Sequence, residues 1–349
     1  MKRRDLLTGT LGLAALGAVG RLAPSFVALH AQAGTGVTGT VAPADDEKGT
    51  RLVLLGTQGG PNVNLRRAQA SNALVVDGRV YLVDCGYGAV RGLVAAGLRY
   101  GQVGTVFLTH LHDDHTADLP AFISLQWTGS RTQPTDIYGP FGTSAMVDAA
   151  LAFAKANTEI RVVDEGRTVR PEMLFHGHDL AATDTPAEAF KDDRLTVRSI
   201  ENTHFPDRSK ANMRYRSIGY RFDAGGRSIV ITGDTAYSKN LVTLAEGADL
   251  FVCEIMDETI YKATVARAEA AAKAGNPNNI FRHVAETHST PEIVGRMASE
   301  AKVKTVVLTH LLPGSNRAQT AEFPDSTYID AVHRYFPGEV IVGRDQMVL

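Results

Sequence analysis

Cysteine is almost missing from this chain of 349 residues: Cys85 and Cys253 are the only two. A framework of several disulfides is thereby excluded, and a single bridge is the most that could form. Each cysteine follows a strand-like apolar run, so both are read as buried core thiols. A surplus of either charge is missing too, with Lys+Arg 36 against Asp+Glu 38. There is no bulk attraction for nucleic acid or membrane, and any affinity for anions has to be local. Past the N-terminus no apolar run is long enough to cross a membrane. Tryptophan occurs once, as Trp127, read as a cleft wall or core aromatic rather than a base-stacking platform. What is present is a hydrophobic fraction of 44%, enough for a real core and unlike a disordered chain.

The first residues read as an address rather than as part of the fold. Lys2, Arg3 and Arg4 form a basic cluster, an apolar run covers residues 6–19, and Ala31-Gln32-Ala33 supplies a small-residue cleavage site. That is the three-part layout of an export signal. The adjacent Arg3 and Arg4 point to the twin-arginine route. The apolar run is short for a span and Arg21 interrupts it, so removal of residues 1–33 is expected rather than retention as an anchor. The mature chain is then periplasmic or extracellular, without stable membrane insertion. Residues 34–50 read as a flexible lead-in, and residues 51–349 as one domain.

Within that domain, residues 51–56 form a short apolar run, hence a buried strand. Residues 73–76 and 80–85 flank Asp77-Gly78, a hairpin signal. Residues 89–97, 141–156 and 259–275 read as helices. Two distant segments echo each other: Thr105-Val-Phe-Leu-Thr-His-Leu111 and Thr305-Val-Val-Leu-Thr-His-Leu311. Between them, the apolar run over residues 228–234 ends in Asp234 and pairs with residues 217–222 across a glycine-containing turn. Several strands thus deliver His or Asp at their carboxyl ends, where α/β sheets place their sites. The echo predicts two related halves combined in one four-layer αββα domain.

The strongest chemical signal is His110-Leu-His112-Asp-Asp114-His115, four candidate ligands within six residues just past a strand. A compact turn there can aim His110 and His112 at one metal ion, and Asp114 and His115 at a second. Imidazole suits zinc, and a carboxylate can bridge or complete the shell.

That run resembles the H-x-H-x-D-H signature of the metallo-β-lactamase superfamily. The resemblance extends from about Leu52 to His310 and implies the αββα sandwich of that family. It implies His204 as the third histidine of the first ion, Asp234 as the bridging carboxylate and His310 as the last histidine. Asp84 resembles the early aspartate that supports the metal loop. Two zinc ions are the implied cofactors, although such ligands also accept manganese or iron. Glu254 and the run His288-Ser-Thr-Pro291 resemble the ribonuclease Z branch. The loop at residues 56–61, with Arg67, Ser71, Tyr81 and Tyr138, is similar to exported arylsulfatase-like members of that branch.

Charge counting narrows the expected substrate. Two divalent ions bring four positive charges, Asp114 and Asp234 remove two, and a hydroxide removes one. A net charge of about +1 favours a small anionic ester, a sulfate ester or phosphodiester, attacked by hydroxide generated at the dinuclear centre. Asp114 is expected to hold the attacking water's proton as well as to ligate. His288, with Glu254 as its carboxylate partner, is the expected acid for the departing oxygen. The alternatives are a ribonuclease Z-type endoribonuclease, a lactone or neutral-ester hydrolase, and a non-catalytic sensor. tRNA is not the expected substrate, because His204 and Asp234 are only 234 − 204 = 30 residues apart, too few for an RNA-gripping arm. The resemblance leaves a homodimer open. His176 and His178 read as surface-loop residues, His283 as cleft rim or surface, and Arg208, Lys210, Arg214 and Arg216 as a solvated basic face.

Overall fold

A computed structural model describes residues 48–205, 214–277, 279–316 and 318–349. The export signal, nearly all of the lead-in, and Arg208 and Lys210 lie outside the described residues. Alternation of apolar side chains builds the sheets. In β1 (Thr50–Gly56), Leu52 and Leu54 face one way, Val53 and Leu55 the other, and all four are fully buried. β2 (Ser71–Val76) repeats this: Leu74 and Val76 point toward the second sheet, Ala73 and Val75 toward helices. Such strands are apolar on both faces because both faces are covered.

The first sheet adds β3 (Arg79–Val83), β4 (Thr105–Phe107), β5 (Thr135–Pro140) and β6 (Phe175–Leu180), in sequence order β1 to β6. Its first three strands are antiparallel and β3 to β6 run parallel. The second sheet comprises β7 (Ala187–Lys191), β8 (Leu195–Glu201), β9 (Ile218–Ala224), β10 (Arg227–Ile231), β11 (Leu250–Met256), β12 (Thr305–Leu312) and β13 (Glu339–Val342). Its spatial order is β13-β12-β11-β10-β9-β8-β7, with β10 to β13 parallel and the rest antiparallel. Leu52, Leu74, Tyr81 and Phe107 of the first sheet pack against Val197, Tyr220, Ile229 and Val307 of the second. Burying each such side chain contributes about 1.5–3 kcal/mol, before chain entropy is subtracted.

Helices cover the outer faces. α1 (Ala89–Ala95), the single turn α2 (Asp113–Thr116), α3 (Leu119–Thr128) and α4 (Thr143–Glu165) belong to the first half. Trp127 lies in the core beneath them, its indole N–H donating to the Val169 carbonyl. α5 (Lys239–Leu244) begins at Ser238, whose side chain caps Leu241. α8 (Pro291–Ala301) begins at Thr290, which caps Ile293, with Pro291 in the first turn. Both cover the second sheet with α9 (Asp325–His333). Helices, sheet, sheet and helices make the expected four layers, and β4 and β12, the two echoed strands, occupy interior places in their respective sheets.

Two helices stand apart. α6 (Glu258–Lys273) buries only Thr264, and its packing partner is α7 (Ile280–Thr287), with the Arg267 guanidinium over the Phe281 ring. The excursion leaves the end of β11 and returns where the Met256 N–H bonds the Ser289 carbonyl at 2.8 Å. Cys85 and Cys253 are buried, unpaired, and packed in separate helix-facing clusters.

Candidate metal centre

Carboxyl ends of strands from both sheets converge on one place. Asp84 follows β3, Thr109 and His110 follow β4, His204 follows β8, Asp234 follows β10, and Glu254 and His310 sit in β11 and β12. Two of these residues, Asp84 (φ 60°) and His310 (φ 43°), adopt the left-handed backbone that non-glycine residues rarely enter. Such strain persists where surrounding contacts over-determine it. Gly59 explains part of the fit: a side chain there would come within 2.6 Å of the His310 carbonyl and 2.8 Å of its Nδ1.

The donors form two adjoining clusters. His110, His112 and His204 have ring nitrogens within 4.8 Å of one another, and so do the donor atoms of Asp114, His115, Asp234 and His310. His112 Nδ1 lies 3.1 Å from His110 Nε2 and 3.2 Å from His204 Nε2. Asp234 reaches both clusters: Oδ2 is 3.9 Å from His110 Nε2 and 4.0 Å from His204 Nε2, while Oδ1 is 3.3 Å from His115 Nε2 and 3.2 Å from His310 Nε2. Asp114 Oδ2 stands 3.2 Å from His310 Nε2 and 3.8 Å from His115 Nε2. Donors around one tetrahedral zinc, each about 2.0–2.1 Å away, are separated by roughly 3.3 Å, so these spacings fit one ion per cluster.

Supporting bonds orient the rings. Asp84 Oδ2 accepts from His115 Nδ1 at 2.9 Å, and Asp84 Oδ1 accepts from the Thr109 backbone N–H at 2.8 Å. His204 Nδ1 donates to the Thr287 carbonyl at 3.3 Å. In both cases Nε2 is left with its lone pair toward the cluster, as metal-binding histidines require.

The electrostatics point to cations. Burial, helped by neighbouring imidazoles, holds His110 and His204 well below the ordinary histidine range, hence neutral and ready to ligate. Burial would also lower His115, but the carboxylates of Asp234, Asp84 and Asp114 outweigh it and raise this imidazole well above the usual range. His310 is raised by Asp234 and Asp114 against the same burial. Burial would raise Asp114, yet His115 and His310 hold it at about 2. The carboxylates thus demand positive charge. His115 Nε2 and Asp234 Oδ1 are buried and lack a well-aligned hydrogen-bond partner. Orphaned donors facing one another across a carboxylate-rich space are the environment divalent ions satisfy, and the residues present fit two such ions.

Beside the clusters, His288 Nδ1 bonds Glu254 Oε2 at 2.7 Å, and both residues are buried. Burial would lower His288, but Glu254 raises it to about 9. Burial and the nearby Asp234 in turn push Glu254 up.

Some residues stand elsewhere than expected. His176 and His178 are not in a loop but on β6, where alternation with polar neighbours on a half-exposed strand hides the period. His178 stacks on Tyr138 and bonds Asp136, away from the donors. Arg214 is exposed and lies over the Phe141 ring, while Arg216 is half-buried and faces Glu201. Sequence reasoning gave no part in the site to Phe205, whose ring packs on those of His112 and His204. His283 is on the rim, as expected, but closer to the chemistry than a rim residue need be: one of its nitrogens lies within 4.8 Å of nitrogens of His204 and His288. Its spacing of five from His288 was the available signal.

Comparison with known proteins agrees with this geometry. Residues 79–311 match the model of the β-lactamase superfamily domain. A ribonuclease Z of Mycobacterium sp. (strain KMS) is 32% identical over 274 residues, covering 78% of this chain and 87% of that one. A ribonuclease Z of Mycobacterium avium is 30% identical over 298 residues, covering 84% and 95%. Among solved structures, the short form of human tRNase Z aligns with a TM-score of 0.58 at 24% identity, covering 86% of this chain and 98% of that one. The Bacillus subtilis metallo-β-lactamase fold protein YhfI gives the same TM-score at 19% identity, covering 86% and 98%. The Mycobacterium relatives carry the ribonuclease Z name and neither is named an arylsulfatase, so the sulfate-ester expectation gives way to its alternative. The chain belongs to the metallo-β-lactamase superfamily, on its ribonuclease Z side.

Proposed function

We propose that this protein is a metal-dependent phosphodiester hydrolase with ribonuclease Z-type chemistry. The observation that carries the reading is the His288–Glu254 pair, bonded at 2.7 Å and set against a double cluster of metal-type donors. His110, His112 and His204 would hold one ion, Asp114, His115 and His310 the other, with Asp234 shared. When bound, the ions supply Lewis acidity and a water of lowered pKa. The chain's own residues do the rest. Asp84 keeps His115 in the ligating tautomer. Asp114, ionised at neutral pH, can accept the attacking water's proton. Glu254 engages His288 Nδ1, so the proton offered to the departing ester oxygen is on Nε2. The names of the relatives support the phosphodiester as the bond cleaved.

A second reading concerns substrate size. β9 and β10 take up 12 of the 29 residues between His204 and Asp234, and so short an interval favours small diesters over a folded RNA. Export to the periplasm or beyond is part of the same proposal. Metal-quantified mature protein should be assayed on bis-nitrophenyl phosphate, nitrophenyl sulfate, a lactone and a 3′-extended tRNA precursor. Turnover of the diester well above the sulfate and lactone supports the reading. Turnover of the sulfate or lactone alone overturns it, and efficient tRNA cleavage overturns the small-substrate version.

A further inference from the structure

Access to the donor clusters is narrow. His110, Asp114, His115, His204, Asp234, Glu254, His288 and His310 are all at most 5% exposed. The half-buried imidazoles beside the clusters are His112, already counted among the donors, and His283. The His283 ring centroid lies 5.8 Å from that of His112, 5.1 Å from His204 and 5.9 Å from His288. A molecule that reaches the clusters between these rings meets His283 on the way.

A third metal is a poor use for this residue. Of its two neighbours, His204 has Nδ1 on the Thr287 carbonyl and Nε2 turned to His112, and His288 has Nδ1 on Glu254. A site shared by His204, His283 and His288 would take His204 from a cluster that is complete without His283. The backbone also gives His283 a defined place. It lies one turn before Thr287 on α7, whose hydroxyl donates to the His283 carbonyl at 2.8 Å and stands 3.5 Å from its Nδ1. Asn279 caps the start of the same helix by accepting from the Arg282 N–H at 3.0 Å. A side chain fixed this way is suited to positioning a ligand.

We infer that His283 is a substrate-positioning residue, hydrogen-bonding a phosphoryl oxygen of the substrate at the mouth of the metal centre. The inference rests on the phosphodiesterase reading for the identity of the substrate. It requires only an N–H donor, which a neutral imidazole supplies. A hydrogen bond to a charged phosphoryl oxygen is of the stronger kind, so its loss is expected to change binding by about tenfold or more.

The test uses full-length metal-loaded protein as wild type, His283→Ala and His283→Gln, with metal content measured for each. Two readouts are taken: KM and kcat on bis-nitrophenyl phosphate, and the dissociation constant of inorganic phosphate by calorimetry. His283→Ala should raise KM and weaken phosphate binding by a similar factor of about ten, with kcat changed far less and metal content intact. His283→Gln, which keeps an N–H donor, should recover most of both. Unchanged KM and phosphate affinity in His283→Ala would overturn the inference, and so would loss of an ion, which would make His283 a ligand. If the wild type turns over no phosphodiester, the phosphodiesterase reading fails by itself, and phosphate calorimetry still decides whether His283 holds a phosphoryl group.

Discussion

Replacing Asp84 by Asn changes one atom's chemistry at the support of the metal loop. The carboxylate accepts from three donors at once: the Thr109 N–H at 2.8 Å on Oδ1, His115 Nδ1 at 2.9 Å on Oδ2, and the Thr109 hydroxyl at 3.0–3.1 Å from both oxygens. An amide has one acceptor oxygen. If it keeps Thr109, its NH2 faces His115 Nδ1 and forces the proton onto Nε2, the atom that should ligate. If it turns to serve His115, the NH2 opposes the buried Thr109 N–H. Either way one group is frustrated, at a cost of about 1–3 kcal/mol. At about 1.4 kcal/mol per tenfold, that is roughly a 5- to 150-fold change, in line with the 10- to 100-fold losses typical of such supporting contacts. Asn is also the right probe because it tolerates the left-handed backbone at this position, whereas Ala would add strain of about 1–2 kcal/mol. The assay is competition for zinc against a chelator of known affinity, with unfolding of the metal-free protein measured in parallel. The ion held by His115 should weaken by one to two orders of magnitude, and the ion held by His110, His112 and His204 much less. Affinities within twofold of wild type for both ions, with the fold intact, would refute the reasoning.

Four further expectations follow from particular contacts. His288→Ala should slow hydrolysis of alkyl phosphodiesters strongly and of nitrophenyl diesters much less, because nitrophenolate leaves without a proton; equal losses on both, measured at unchanged metal content, exclude the acid role. Gly59→Ala should destabilise the protein by about 1–3 kcal/mol and loosen the second ion, since the new methyl group meets the His310 carbonyl at 2.6 Å; thermal unfolding and metal content report this. His115→Ala should abolish most activity while His178→Ala leaves it nearly intact, and the metal content, two per chain in the wild type, should fall only in the former. Mature protein recovered from cells should begin near Gly34 and lie outside the cytoplasm, which N-terminal sequencing of fractionated cells will check.

Most donors were legible because the chemistry is local in sequence: four of them stand within six residues, and Asp234 and His310 each close an apolar run, whereas His204 follows the mixed polar stretch at the end of β8 and was legible only through the family resemblance. Strands buried on both faces, such as β1 and β12, were legible for the same reason. Half-exposed elements were not. β6 reads Phe-His-Gly-His-Asp-Leu, with too few apolar residues to show a period of two. α4 runs on to Glu165 rather than stopping near Ala156, because its last turns expose Ile160 and Val163 on a polar background. Conversely the strand expected to reach Thr109 ends at Phe107, since the Thr109 N–H and hydroxyl are taken by Asp84 rather than by a neighbouring strand. What sequence spacing could not show is the third dimension of the α6–α7 excursion, which brings His283 back beside His204 from 79 residues away, 283 − 204.

That excursion departs from Met256 and returns at Ser289, tied at its base by bonds from the Met256 N–H to the Ser289 carbonyl and from the Asp257 N–H to the Leu312 carbonyl, and its two helices rest chiefly on each other. In engineering terms it is a cassette. Its length, its helical content and the side chains it lowers toward the opening can be exchanged without altering one strand register or one donor to the metals, provided Thr287, whose carbonyl orients His204, and His288 stay in place. A set of enzymes sharing this sandwich could diverge in what they accept by rewriting residues 257–286 alone, keeping the hydrolytic machinery as a fixed base. Grafting the corresponding segment of a related hydrolase between Met256 and Thr287 is accordingly the shortest route to a changed substrate range on an unchanged metal centre.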